Sequence, residues 1–367
     1  MIHHLAPWVP PFIQSLKNHT SGPFLPFQIS TLRTVHDENN SSSSDESDEE
    51  INSDSDSASD NASVNASVHS KVNKIKRKKP IIVRPSCRTV VFRDFLFNDK
   101  KSNILTYVTD LRSEKLQDIK DNGGVFEACF YFPDTMEQYR LSGSTQVVIS
   151  LETLSTLSHA PAVINNLVVS PSICGGHTKS VLKKMESLLK QKESKKTGNN
   201  ANATLQTNGV DVKSTASSAE SHNDHSDTES LDEQIYEVTE DLEENKDIDI
   251  DTYAPPTERE WFLELQRHWM NLSKTSRSQY RKPEPGLRIN DDLEKKLDKI
   301  NRGVDGQTEE VGLPNFGIVC LIVDKVDYLN LKNNGNRGER WLYKKEIYQG
   351  ENGECYEEMW DEEEVCP

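Results

Sequence analysis

The sequence predicts a mainly β fold with flanking helices, built as an antiparallel barrel and interrupted by two disordered insertions. Short runs rich in Val, Ile, Phe and Tyr recur between turn residues, which is typical of antiparallel strands. Two long polar tracts separate these runs, and both lack the large apolar side chains that a core requires. A few amphipathic segments lie between the strands, so we expect helices around a closed or split barrel.

Composition narrows the classes of function. The chain has 367 residues and a formal net charge of −17, and this acidic balance argues against nucleic acid as a main partner. No apolar run approaches the ~20 residues of a membrane span, so we expect no membrane partner. Cys87, Cys129 and Cys320 lie in strand-like runs without CxxC spacing. This pattern indicates packed, reduced thiols in a cytoplasmic protein, with the nucleus as the alternative compartment.

The two polar tracts divide the chain. Residues 36–80 form an acidic, Ser-rich insertion that ends in the basic cluster Lys74–Lys79, either a nuclear import signal or a counter-charge to the acidic run. Residues 166–252 form the second insertion, which includes a stretch with helical apolar spacing in an otherwise linker-like tract. The remaining pieces, 1–35, 81–165 and 253–367, total about 235 residues, and we expect them to form one domain.

The elements of this domain follow in order. We expect strands at 27–35, 81–95, 102–110, 125–133, 137–151, 316–323, 326–331 and 340–348. The first insertion then occupies a hairpin between the first two strands. Ser113 is expected to begin a helix that ends at Gly123 and Gly124.

A second helix is expected in EREWFLELQRHWMNL. Trp261, Leu265, Trp269 and Leu272 recur on one face of it, which should pack on the core. His268 shares a different face with Glu264, and we expect it to be exposed rather than catalytic.

Cationic side chains cluster around two strands. Arg88 and Arg93 flank the apolar run of RTVVFR, and alternation places them on opposite faces unless a bulge intervenes. The next strand leads into YVTDLRSEK, where Arg112 and Lys115 stand at a strand-to-helix junction. A helix start offers free N–H groups and partial positive charge, so this junction is a candidate phosphate site. An ordinary solvated basic turn is the alternative.

Further motifs follow these two in a fixed order along the chain. They are FYFPDTMEQYRLSG, WMNLSKTSRSQY followed by PEPG, PNFGIVCLIVDKVDYLNL and RWLYKK. The sequence thereby resembles the FMN-binding split barrels of the pyridoxamine 5′-phosphate oxidase superfamily, over the three core pieces and neither insertion. The resemblance implies a split barrel of the FMN-binding type, FMN as the cofactor, and a homodimer with the flavin in a cleft between protomers.

The resemblance also implies roles for individual residues. Arg88 and Arg93 would line the flavin, Val108 and Thr109 would hold its edge, and Lys115 with Arg112 would hold its phosphate. Gln138 would reach polar atoms of the flavin, Ser278 and Gln279 would come from the second subunit, and Arg340 would be a late flavin contact.

Some positions depart from the oxidase pattern. Glu114 stands where an arginine is common, with Arg112 as a replacement, and Leu329 stands where a flavin-stacking tryptophan is common. Asn336 and Gly338 occupy the positions of the arginine and histidine that grip the oxidase's substrate. These departures argue against turnover of pyridoxamine phosphate, because a buried phosphate without cationic partners is costly.

Two functions follow from the resemblance. The first is an FMN-dependent oxidoreductase acting on an unidentified small molecule, with no catalytic residue identified. The second is a non-catalytic, FMN-binding dimeric interaction or regulatory protein. A haem-binding relative of the barrel ranks lower, because the histidines show no axial arrangement. We expect no metal site, since Cys174 and His177 lack two further ligands.

Overall fold

The structure is a computed structural model, and it describes most of the three core pieces and part of the second insertion. The described residues are 2–20, 25–36, 81–145, 147–155, 167–174, 176–202, 254–332, 337–349 and 356–367. Most of the first insertion, including the basic cluster Lys74–Lys79, lies outside these ranges, and so do residues 203–252.

Ten strands and seven helices are named here. The strands are β1 (Ile2–His3), β2 (Leu25–His36), β3 (Ile81–Phe95), β4 (Ile104–Asp110), β5 (Val125–Phe132), β6 (Glu137–Ser144), β7 (Val148–Ser150), β8 (Phe316–Asn330), β9 (Glu339–Gln349) and β10 (Tyr356–Val365). The helices are α1 (Val9–Asn18), α2 (Glu114–Asp121), α3 (Leu151–Ser155), α4 (Gly176–Asn202), α5 (Glu258–Met270), α6 (Lys274–Gln279) and α7 (Asp291–Asn301).

Six of the strands close into a barrel in the order β8-β4-β3-β2-β5-β6, and the ring closes because β6 also pairs with β8. Every pairing in the ring is antiparallel. The long strand β8 serves both sides of the closure: its first half pairs with β4 and its second half pairs with β6. The expected mainly β barrel with flanking helices is confirmed.

Helix α1 contributes its buried side chains to the core of the barrel. Two prolines begin the helix, where missing N–H groups cost nothing. The Phe12 ring is fully buried and contacts six other aromatic rings, with centroids 5.2–6.5 Å away. Edge-to-face packing of aromatic rings stabilises a fold by more than the burial of their apolar area alone would provide. The N-terminal segment is therefore part of the core, although the sequence analysis assigned no element to it.

Helix α5 covers the outer face of β4 and β8. Its residues Trp261, Leu265 and Trp269 are buried there with Phe316 and Ile318, which confirms the predicted apolar face. The helix begins at Thr257, whose hydroxyl accepts from the Glu260 N–H while the Glu260 side chain accepts in return. This capping box fixes where the helix starts on the barrel.

A buried ionic network joins α5 to the end of β3. The Arg267 guanidinium donates to Asp94 at 2.5 Å and to Glu264 at 2.8 Å. Glu264 also contacts the His268 ring at 3.1 Å. Burial opposes ionisation of Glu264, but the charge and hydrogen bonds of Arg267 outweigh it and lower the pKa of this carboxyl. The expectation that His268 is exposed is therefore wrong, because it lies in this network with 3% exposure.

The second insertion begins later than predicted. Leu167, Val168 and Val169 are buried against the barrel, and α4 packs along α5 with Met185 buried. This part of the predicted disordered tract is folded because its few apolar residues meet an apolar face of the domain. The sequence feature that indicated the helix was the helical spacing of Val181, Met185, Leu188 and Leu189 on a basic background.

Other boundaries also differ. The strands expected at 316–323 and 326–331 are the single strand β8, and the strand expected at 137–151 is split into β6 and β7. The tail forms β10 even though its acidic residues disfavour strands, because β9 pairs with it along its whole length. Cys320 is buried as expected, whereas Cys87 is exposed, since β3 extends beyond the barrel there.

The network of Arg267 supplies a test of the fold. Replacing it in Arg267→Met leaves Asp94 and Glu264 buried without their cation, and we expect a loss of about 3–5 kcal/mol in the free energy of unfolding. The matched control is Arg259→Met on the same helix, whose side chain is 50% exposed in a 3.7 Å ion pair. It should cost less than about 1 kcal/mol. Urea unfolding measures both, and equal losses would show that the network is not structural.

Candidate functional site

A cluster of charged groups lies where β2, β3 and α2 meet. The Arg88 guanidinium donates to Asp118 at 2.6 Å and to the Thr31 hydroxyl at 2.9 Å. Arg33 donates to the same carboxylate at 2.9 Å from its Nε atom. Burial opposes ionisation of Asp118, but the hydrogen bonds from Arg33 and Arg88 outweigh it and lower its pKa. Asp118 therefore orients both arginines at one end of the barrel.

Lys115 lies in the first turn of α2, beside this cluster. Its ammonium forms no hydrogen bond or ion pair with any residue that the structure describes. Burial lowers the pKa of Lys115, and the neighbouring charge of Arg88 lowers it further. Two cations held together without a shared carboxylate are a favourable place for an external anion.

The start of α2 adds backbone donors to this site. Ser113 is the N-cap residue, but its side chain does not cap the helix; its hydroxyl donates to the Asp110 carbonyl at 2.7 Å. The first-turn N–H groups of α2 thus receive no capping hydrogen bond from the Ser113 side chain. Thr109 is buried, with its hydroxyl 3.4 Å from that of Ser113, and Val108 is half-buried on the opposite face of β4.

Arg112 has a different set of contacts from Lys115. Its guanidinium donates to both oxygens of Asp110, at 2.9 Å and 2.6 Å, and to the Lys282 carbonyl at 3.0 Å. The hydrogen bonds that Arg112 donates to Asp110 raise the pKa of this arginine. Arg112 therefore connects the end of β4 to the segment after α6. It lines a cavity of about 420 Å³ with Ser113 and Glu114, to which Arg88 and Lys115 do not contribute.

Arg93 does not converge with Arg88. The pairing of β3 with β4 shifts register between Phe92 and Asp94, so Arg93 occupies a β-bulge. Arg88 is on the same side of β3 as the buried Val90 and Phe92, whereas Arg93 is half-exposed and close enough to act electrostatically on Tyr280. The two arginines therefore face different surroundings.

Helix α6 places Ser278 and Gln279 near the end of β4. The Ser278 hydroxyl is buried and donates to the Thr275 carbonyl at 2.7 Å. The Gln279 side chain is exposed and lines a second cavity, of about 360 Å³, together with Asp110. Of these two residues, Gln279 is the one whose side chain faces a cavity.

Gln138 and Arg340 lie in one row of the sheet. Gln138 on β6 pairs with Leu329 on β8, and Leu329 pairs with Arg340 on β9. Arg340 donates to Asp327 at 2.9 Å and 2.8 Å, and Arg140 donates to the same carboxylate. Hydrogen bonds from Arg340 lead the contributions that lower the pKa of Asp327. The row is thus a second, separate polar cluster.

The barrel keeps the two clusters apart. In the six-stranded ring, β3 and β6 are three positions from each other in either direction. Arg88 and Lys115 therefore lie across the barrel from Gln138 and Arg340.

Sequence reasoning missed the carboxylates that hold the arginines. Asp118 follows Lys115 by three residues, and its spacing on α2 places it towards the sheet, which was the available signal. Asp327 gave no local signal, because the register of β6 and β8 alone brings it to Arg140. Arg33 was likewise visible only through the packing of α2 on β2, which brings it to Asp118.

Two expectations from the sequence concern metal ions and membranes. Among the described residues, no group of three or more His, Cys, Asp or Glu side chains is arranged to hold a metal ion. The side chain of His177 is outside the described part of the chain. No helix that the structure describes combines the length and apolarity required to cross a membrane.

Comparisons with known proteins agree with the geometry. Residues 50–149 match the family model described as pyridoxamine 5′-phosphate oxidase, FMN-binding domain. A Saccharomyces cerevisiae protein named as uncharacterized protein YGR017W is 35% identical over 380 residues, covering all of both chains. Pyridoxine/pyridoxamine 5′-phosphate oxidase 2 of Arabidopsis thaliana is 45% identical over 65 residues, which are 18% of this chain and 31% of the plant protein.

A solved structure is also similar. It is a pyridoxamine 5′-phosphate oxidase-related, FMN-binding protein from Nostoc punctiforme PCC 73102. Its sequence is 18% identical, the match covers 99% of each chain, and the TM-score is 0.44.

Lys115 provides the test of the anion site. Because its charge is desolvated beside Arg88, we expect Lys115→Met to leave the ligand-free protein as stable or to stabilise it by up to about 1 kcal/mol. Inorganic phosphate should raise the melting temperature of the unsubstituted protein and not that of Lys115→Met. Thermal unfolding with and without phosphate measures both effects.

The control is Lys120→Met, on the exposed side of the same helix. It should keep the full response to phosphate. An equal response in Lys115→Met would place the anion elsewhere.

Proposed function

The chain belongs to the pyridoxamine 5′-phosphate oxidase-like family of FMN-binding proteins, and on that premise we propose that it is a flavin-dependent oxidoreductase acting on a small molecule. The observation that carries the proposal is the pairing of Lys115 with Arg88, two cations that share no carboxylate of their own. Because burial disfavours the charged form of Lys115, an anion bound there should interact with its ammonium more strongly than with that of a fully solvated lysine.

The residues present fit FMN. Its phosphate is a dianion at neutral pH, and the site offers the Lys115 ammonium, the Arg88 guanidinium and uncapped N–H groups at the start of α2. Bound FMN supplies the hydride or electron transfer that side chains lack. The chain supplies the rest: Lys115 and Arg88 bind the phosphate, Thr109 and Val108 position the edge of the ring system, and the buried Asp118 fixes Arg88.

We propose that the complete site needs two copies of the chain. Gln138 and Arg340 are assigned to the flavin by resemblance, yet they lie across the barrel from Lys115. A homodimer in which the β6–β8–β9 row of one protomer meets the β3–α2 cluster of the other brings the groups together. Asp327 then keeps Arg340 in place before the partner arrives.

A non-catalytic FMN-binding role is the second candidate, and one position favours it. Gly338 occupies the place of a substrate-binding histidine in the oxidase. Its φ of +75° is strained for other residues, and a Cβ atom there would meet the Pro367 side chain at 3.3 Å. A histidine does not fit this backbone, so pyridoxamine phosphate is a poor candidate substrate.

The experiment that separates the two candidates is reduction of the purified, flavin-loaded protein. The proposed oxidoreductase should lose its flavin absorbance on anaerobic addition of NADH or NADPH and recover it with an electron acceptor. Flavin that stays oxidised with both nicotinamides and with pyridoxamine phosphate would favour the non-catalytic role.

Mixed dimers test the shared site. We expect Lys115→Met and Arg340→Ala each to bind FMN at least about tenfold more weakly, because each removes a charged contact. Co-expressing the two variants with different tags yields dimers in which one site has lost both residues and the other has lost neither. Such dimers should hold one FMN at normal affinity, measured by absorbance after tandem purification.

The contrary result is equally clear. If both residues served a site within one chain, every site of the mixed dimer would carry one defect. The mixed dimer would then bind FMN as weakly as the single variants.

A further inference from the structure

The ring of His3 joins three parts of the chain that are distant in sequence. His3 lies in β1, and its Nδ1 atom is 2.7 Å from a carboxylate oxygen of Glu358 on β10. Its Nε2 atom is 2.7 Å from the carbonyl oxygen of Leu167, at the start of the segment 167–174. The side chains of His3 and Glu358 are 6% and 3% exposed, so little water competes for these contacts. The flavin site uses none of these three residues.

Glu358 is the ionised partner in this cluster. Its second carboxylate oxygen accepts from the Asn103 amide and from the Trp360 indole N–H, both at 2.7 Å. Burial opposes ionisation of Glu358, but the hydrogen bond and charge of His3 outweigh it, with help from Lys345 and Trp360, and lower the pKa of this carboxyl. The side chain therefore acts as an acceptor towards every group that contacts it.

The two partners of His3 determine how many protons its ring carries. A backbone carbonyl oxygen can only accept a hydrogen bond, and an ionised carboxylate can only accept one as well. A neutral imidazole has one N–H group and so satisfies one of these partners. Both ring nitrogens of His3 donate only when the ring is an imidazolium. The geometry thus requires a charged His3.

The electrostatic surroundings favour that charge. The charged groups around the ring and its partner are Glu358 of β10, Asp99 after β3 with Lys100 and Lys101 beside it, and Lys345 of β9. The carboxylates favour a protonated ring and the ammonium groups oppose it, but only the carboxylate of Glu358 is in direct contact with the ring. The segment 167–174 contains no charged side chain, so its contribution is the Leu167 carbonyl.

The segment 167–174 is held at two points. His3 contacts it at Leu167, and the Glu260 carboxylate of α5 accepts from the hydroxyls of Ser170 and Ser172, at 2.7 Å and 2.6 Å. Between these points Val168 is buried against the barrel. Helix α4 begins directly after this segment, so these contacts also fix the start of α4 on the domain.

We propose that His3 is a pH-sensitive switch: its imidazolium holds the segment 167–174 against β1 and β10, and loss of the ring proton releases the Leu167 end. A neutral ring keeps one N–H group, which the Glu358 carboxylate takes. The other ring nitrogen then faces the Leu167 carbonyl oxygen with a lone pair, and two acceptors at 2.7 Å repel each other. The release exposes Leu167 and Val168 while Glu260 retains the other end. The switch does not depend on bound flavin.

Two measurements on the full-length protein test the switch, both made from about pH 6 to about pH 9, a range that begins near the ordinary titration of histidine. NMR of ¹⁵N-labelled histidine rings follows the protons of His3, with the signal assigned by its loss in His3→Gln. Hydrogen exchange, corrected for the intrinsic rate at each pH, follows the hydrogen-bonded amides of Ser170, Ile173 and Cys174. We expect their protection to fall at least about tenfold as the His3 ring loses its proton, because a charge-assisted contact is lost.

Three variants make the test specific. His3→Gln should show low protection of the segment already at about pH 6 and no pH-dependent step, because its side chain does not titrate. Glu358→Gln removes the carboxylate that favours the imidazolium, so the ring proton and the protection should both be lost at a lower pH. The matched control is His4→Gln, since His4 contacts Glu357 at 2.6 Å with both side chains 50% exposed. It should keep the step of the unsubstituted protein.

Three results would overturn the proposal. The first is a His3 ring with a single proton at about pH 6 while the segment 167–174 stays protected. The second is loss of the His3 ring proton without a change in the protection of the segment. The third is a pH-dependent step of the same size in His3→Gln, which would assign the step to another group.

Discussion

The carboxylate of Asp118 is the contact on which the candidate site depends. It accepts from Arg33 and Arg88 at once, so a single buried anion holds two guanidinium groups at the end of the barrel. Lys115 is left as the third cation: among the described residues its ammonium forms no hydrogen bond or ion pair, and Asp110 acts on it only electrostatically. Burial of this ammonium costs desolvation free energy in the folded chain. A bound phosphate would offset that cost by pairing with the charge. On the function proposed here, the affinity for a phosphorylated cofactor comes from the position that α2 gives to Lys115.

The closed barrel imposes the second constraint. Because β8 pairs with β4 along one half and with β6 along the other, the six-stranded ring has no opening through which distant groups could approach. Its core is filled by side chains of the strands and of α1, among them the rings around Phe12. The clusters at Asp118 and Asp327 are therefore held by different elements of the ring and its flanks, and their meeting in a dimer is the proposal made above. The Arg267 network adds to this constraint on the barrel. It holds the end of β3 against α5, and β3 is the strand that carries Arg88.

The sequence predicted the fold well where the pattern was local. The hairpin of β2 and β3 pairs up to His36 and Ile81, at the edges of the predicted insertion. The apolar face of α5 was visible as Trp261, Leu265 and Trp269, because helical spacing alone places them together. The family motifs added the flavin, which composition and spacing did not provide.

The features that were missed depend on long-range pairing. His268 reads as a surface residue until Asp94, far away in sequence, brings Arg267 into the core. The contacts of Arg112 with Asp110 and with the Lys282 carbonyl were likewise not visible in the sequence, and its expected part in holding a phosphate stays a prediction. The acidic tail received no element from the sequence, and it is a strand because β9 pairs with it. In each case a tertiary contact overrides the local preference of the residue.

The ammonium of Lys115 offers the most direct test of this account. Its titration can be followed by NMR of ¹³C-labelled lysine side chains, with the resonance assigned by its loss in Lys115→Arg. In the flavin-free protein its pKa should lie below the ordinary 10.5, and binding of FMN should raise it. A pKa that does not change while FMN binds at full stoichiometry would contradict the central claim that Lys115 holds the phosphate.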